Sequence, residues 1–93
     1  MASATGIAPT ENGSRYLQQL CKHWAHKFEV NFDAGSGRID LNGTQVDLSA
    51  SPTDLTVLLD APDAETLEKM KQVVADHLDR FAFREAPLPF IWS

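Results

Sequence analysis

The sequence of 93 residues holds a single cysteine, Cys21, which excludes an internal disulfide framework and any all-cysteine zinc site. No apolar run approaches the ~20 residues that cross a bilayer, so no membrane partner is expected. Basic residues are few: 8 Lys and Arg stand against 13 Asp and Glu, for a formal charge of −5. Nucleic-acid binding needs the opposite surplus to neutralise phosphates, so that partner class is set aside. The start, Met1 to Gly6, has neither the basic nor the apolar region of a secretory signal, and a reducing cytoplasm is the expected setting. Catalytic signatures are missing too. There is no G-x-S-x-G elbow, no Walker-type glycine loop, no G-x-G-x-x-G and no H-E-x-x-H. Without a visible set of nucleophile, base and orienting group, an enzyme ranks below a binding module.

What is present is an ordinary globular composition, 43% hydrophobic and 23% charged, with room for one domain over residues 1–93. Residues 2–9 allow a short first strand, with Ile7 the only bulky side chain before Pro9. Thr10 or Asn12 can cap the helix that follows. From Ser14 to Phe28, Leu17, Leu20, Cys21, Trp24 and Phe28 recur as one stripe of an amphipathic helix. The period then changes to two. Val30 and Phe32 alternate with polar residues, Ala34-Gly35-Ser36-Gly37 reads as a loop, and Asn42-Gly43 signals a tight hairpin. A two-residue turn there pairs Leu41 with Thr44, Asp40 with Gln45, Ile39 with Val46 and Arg38 with Asp47. That register puts Ile39, Leu41, Val46 and Leu48 on one face, so turn chemistry and hydrophobic pattern agree. Leu55, Val57 and Leu59 extend the face in a further strand.

Asp63 caps a second helix whose stripe is Leu67, Met70, Val74, Leu78 and Phe81. Residues 86–93, a Pro-rich apolar tail, cannot continue it past Pro87 and Pro89, yet are too apolar to lie wholly in water. The expected fold class is α+β: an antiparallel four- to five-stranded sheet with two helices packed on one face, in the order (β)αββββα. The outer face is expected to carry polar residues, with Leu58 its one large apolar member.

Cys21-Lys22-His23-Trp24-Ala25-His26-Lys27 invites a metal reading. At ~100° per residue, His23 and His26 fall ~160° and ~140° from Cys21, so an intact helix cannot aim all three at one ion. Cys21 reads as a small buried core residue. His77 lies at the edge of the second helix's stripe, and a metal pair of Cys21 and His77 requires the two helices to bring them together. Arg15, Lys22, His23, His26 and Lys27 gather five of the eleven basic side chains (8 Lys and Arg plus 3 His) on the first helix. Such a face is either solvated or a dock for an anionic ligand or acidic partner. Arg80 and Arg84 near the end of the second helix are accounted for by its dipole.

Ser14 to Phe28 together with Val74 to Glu85 resembles the small bacterial family catalogued as domain of unknown function 2218, and the resemblance covers essentially the whole chain. It implies a stand-alone cytoplasmic protein with no established activity, its cofactor unknown, and the element order itself resembles the TATA-binding-protein-like architecture. It also implies an association with siderophore-interacting flavoproteins and so with iron metabolism. Its signature segments map onto Arg15, Tyr16, Cys21, His23, His26, His77, Arg80 and Arg84. Two functions are therefore expected. One is an accessory domain that binds a metal or a small anionic ligand, through Arg15, Tyr16, Lys22, His23, His26, Lys27, Arg80 and Arg84, with Cys21 and His77 as the metal pair. The alternative is an interaction module, a homodimer or a dock for a reductase, that uses the tail and the outer sheet face.

Overall fold

Alternating apolar and polar side chains build six strands, and two stripes of period 3.6 build two helices. In the computed structural model, which describes residues 2–93, the order is β1 (Ala2–Pro9), α1 (Gly13–Trp24), β2 (Glu29–Phe32), β3 (Ser36–Leu41), β4 (Thr44–Ala50), β5 (Asp54–Ala61), α2 (Ala64–Phe81) and β6 (Ile91–Trp92). The strands form one antiparallel sheet in the order β2-β3-β4-β5-β1-β6. Both helices cover the same face of it, so the class is α+β.

The β3–β4 hairpin takes the register that its sequence dictates, from Leu41 opposite Thr44 to Arg38 opposite Asp47. Asn42 and Gly43 adopt φ of 53° and 97°, the left-handed values that a two-residue turn requires. Inward residues of β3, β4 and β5, among them Ile39, Val46, Leu48, Leu55, Val57 and Leu59, meet Leu17 and Leu20 of α1 and Val74 and Leu78 of α2. Each such fully buried side chain contributes about 1.5–3 kcal/mol. Asp63 caps α2 by accepting the Thr66 amide at 2.7 Å.

The structure departs from the sequence reading in four main places, besides Ser36 and Gly37, which were expected in a loop and instead open β3. First, α1 stops at Trp24 rather than Phe28: residues 25–27 form a turn in which the Lys27 amide closes a tighter three-residue bond on the Trp24 carbonyl, and Phe28 leads into β2. Secondly, Asn12 occupies the N-cap position of α1 but makes no side-chain cap there. Its own amide is held by Thr10 Oγ1 at 3.1 Å. Thirdly, the tail adds a strand: Ile91 and Trp92 pair with Ile7 and Gly6, making a sixth strand beyond the four or five expected. Finally, the outer face is less polar than the pattern implies. The small residues Ala4, Gly6 and Ala8 face the helices, which turns Ile7 outward, 44% exposed, beside Ile91.

Candidate ligand cleft where the two helices meet

The first turn of α1 and the chain leaving α2 meet around one carboxylate. Thr10 Oγ1 donates to Glu85 Oε1 at 2.9 Å and Oε2 at 3.0 Å, and Asn12 Nδ2 donates to Oε2 at 3.2 Å. The Tyr16 hydroxyl donates to the same Oε2. These bonds, that from Tyr16 above all and then those from Asn12 and Thr10, hold the Glu85 carboxyl below its usual range. Tyr16 is pushed the other way, by burial first and by its bond to Glu85 and the nearby negative charge second.

Beside this knot lies a cleft of about 420 Å³, lined by Asn12, Arg15, Tyr16, Gln19, Phe81, Phe83, Arg84 and Glu85. Its electrostatics follow from who is already paired. The ion pairs among the described residues are Arg38 with Asp47 and Lys71 with Glu68, so neither Arg15 nor Arg84 is committed to a carboxylate. Glu85, the one carboxylate in the lining, is occupied by neutral donors. Two guanidinium groups and one carboxylate leave the cleft net positive in a protein of charge −5. A larger hollow of about 560 Å³ beside β2 and β3 has no such groups to spare. There Arg38 is paired with Asp47 at 2.9 Å, and Asp33 Oδ1 already accepts the Gly35 and Ser36 amides.

The residues singled out from sequence divide clearly. Arg15, Tyr16 and Arg84 line the cleft. Lys22 on α1 and Arg80 on α2 are exposed and lie outside its lining. His26 and Lys27 fall in the turn after α1, so the basic face of that helix keeps Arg15, Lys22 and His23 and loses the other two. His23 sits on the seam between the helices, its ring centroid 6.0 Å from Phe81 and 5.5 Å from His77. His77 Nδ1 donates to the Val73 carbonyl at 2.7 Å, and its ring lies 4.9 Å from Trp24.

Cys21 is fully buried and faces the sheet. A Cβ placed on Gly37 of β3 would lie 2.7 Å from its Sγ. Burial pushes the thiol up to about 11. Cys21 and His77 thus have different neighbours, and among the described residues no three of His, Cys, Asp and Glu gather as a metal site. Sequence reasoning passed over Glu85, Gln19, Phe81 and Phe83 as cleft residues, and it assigned Thr10 and Asn12 to capping. The usable signal was the end of the Val74–Glu85 segment, where Glu85 closes a run otherwise explained by the helix dipole.

The comparisons with known proteins agree with this architecture. A family described as an uncharacterized protein conserved in bacteria, domain of unknown function 2218, matches residues 5–93. The chain belongs to this family. Its fold is also similar to that in the NMR structure of PA4090 from Pseudomonas aeruginosa, at 40% identity and a TM-score of 0.84. That likeness covers 100% of this chain and 96% of the other. No curated protein matches the chain. No helix among the described residues is long and apolar enough to cross a membrane.

Proposed function

We propose that this domain binds a small anionic ligand, a carboxylate or a phosphate, in the cleft between the start of α1 and the chain leaving α2. The observation that carries the reading is a pair of arginines, Arg15 and Arg84, lining one cleft with no carboxylate partner among the described residues. Guanidinium groups suit carboxylate and phosphate because their donors match the spacing of two oxygens. The cleft volume falls in the range of small-molecule sites, about 300–1,000 Å³. Glu85 supports the arrangement by fixing Thr10, Asn12 and Tyr16 without consuming either arginine. The family resemblance adds to this proposal an accessory role in iron metabolism, for which a ferric siderophore with a free carboxylate is a ligand of the same class. The test is titration of the full chain with inorganic phosphate and with citrate, followed by amide NMR shifts. Shifts at Arg15, Gln19 and Arg84 that vanish in the Arg15→Ala, Arg84→Ala double variant support the proposal. Titrations that move no cleft resonance reject it.

A second reading, an interaction module, is favoured by a different observation. Ile7, Leu58 and Ile91 are exposed on the outer face, where Ile7 pairs with Ile91, and Leu58, opposite Thr5, lies two residues along β5 from Thr56, the partner of Ile7. Apolar clusters of this kind mark protein interfaces. Sedimentation of a self-associating species that becomes monomeric in Leu58→Asp supports that reading, and a strict monomer at every concentration counts against self-association.

A further inference from the structure

We infer, building on the anion reading above, that the ligand is an aromatic anion: a flat ring bearing one carboxylate or phosphate head. The carrying observation is Phe83. It stands in the turn after α2, is 72% exposed, and lines the same cleft as Arg15 and Arg84. A scattered exposed phenylalanine needs no explanation. This one is placed beside the half-buried Phe81 and the buried Tyr16, so three aromatic side chains contribute to one lining. The Arg84 guanidinium lies 5.7 Å from the centre of the Phe83 ring, which presents charge and aromatic face together.

An inorganic or aliphatic anion engages the arginines and leaves Phe83 in water. A ring attached to the anionic head covers Phe83 and Phe81 while the head meets Arg15 and Arg84, so both halves of the lining are used. Glu85 sets the charge of the ligand. Its hydrogen bonds from Tyr16, Asn12 and Thr10 keep it ionised in the lining that also holds Arg15 and Arg84. It therefore repels a second negative head, and the site is suited to one anionic group rather than two. Gln19 adds an amide that can donate to the head or accept from a ring substituent.

The experiment compares benzoate with acetate, and phenyl phosphate with inorganic phosphate, by NMR titration of the full chain near neutral pH. Each aromatic probe is expected to bind about tenfold more tightly than its ring-free counterpart, with the largest shifts at Phe81 and Phe83. Phe83→Ala removes an exposed side chain, so the fold is retained. It should erase the tenfold preference, bringing benzoate to the affinity of acetate and phenyl phosphate to that of inorganic phosphate in the same variant. Equal affinities within each pair, or a preference that survives Phe83→Ala, overturn the inference. If ring-free anions bind through Arg15 and Arg84 with no aromatic preference, this inference fails and the anion reading stands. If none of the four probes binds, both fail.

Discussion

Glu85 enters the folded state with its hydrogen bonds supplied by an amide and two hydroxyls, and its acidity links the cleft to stability. Its carboxyl is held below the ordinary 4.5, so below that pH the unfolded chain takes up the proton before the folded one does. Stability is therefore present above about pH 4.5 and lost as the pH falls through the lower folded value. Glu85→Gln should lower the melting temperature at neutral pH and flatten its decline in acid. Asp33 and Asp63 are also held low by backbone amides, so part of the acid dependence remains in the variant. Melts at a series of pH values check this, and an unchanged acid slope rejects it. At the alkaline end the sign reverses. Tyr16 and Cys21 are raised above 10.0 and 9.0, so the unfolded chain loses those protons first and stability falls as the pH climbs past 9.

Between elements, the fit of α1 on β3 rests on one small residue. Gly37 is buried opposite Cys21, and a Cβ there would meet Sγ at 2.7 Å, with Phe32 Cβ at 3.4 Å and Leu17 Cδ2 at 3.5 Å. Gly37→Ala should cost roughly 1–3 kcal/mol by overpacking. Cys21→Ala takes away the offending sulfur, so the double variant should recover part of that loss, as a coupling energy in urea unfolding. Strict additivity of the two substitutions would show that the contact does not limit the packing. The same pair marks what was legible from sequence. Cys21 could be placed in the core from its helical period, whereas Gly37 reads as loop because nothing local says which helix lies above it. The β3–β4 register was readable since turn and alternation are both short-range, and the Asp63 cap was readable for the same reason. The end of α1 was hidden, because Phe28 continues the helical stripe while the chain is already turning. The cleft was hidden more deeply: Thr10, Asn12 and Tyr16 reach Glu85 across separations of 75, 73 and 69 residues, and no periodicity encodes that.

At the scale of the molecule, a chain of 93 residues buries only roughly 60–70% of the surface it exposes when unfolded, so its last segment matters to the balance. The tail is anchored at several points. Asp79 Oδ1 accepts the Leu88 amide at 2.9 Å, Leu88 is buried, and Thr5 and Ser93 exchange backbone bonds at 2.9 and 2.8 Å. Trp92 lies over Gly6, where an added Cβ would come within 2.7 Å of its ring, and it stacks on Phe90 with centroids 5.5 Å apart. Lys71 Nζ of α2 sits 5.6 Å from the Trp92 ring centre, so the tail joins the sheet edge to the second helix. Ending the chain at Ala86 removes the buried parts of Leu88 and Trp92, roughly 3–5 kcal/mol, against a typical total of about 5–15 kcal/mol. It also bares the backbone groups of β1 as a new edge, which is a template for pairing with another chain. The truncated protein should melt at lower temperature and associate as its concentration rises, both visible by calorimetry and sedimentation. Ile91→Ser, a change at a side chain 74% exposed, should leave the melt nearly unmoved and so separates the loss of the strand from the loss of one apolar group. If the truncated chain instead melts with the intact one and stays monomeric, β6 is an ornament of the sheet and the core is closed without it.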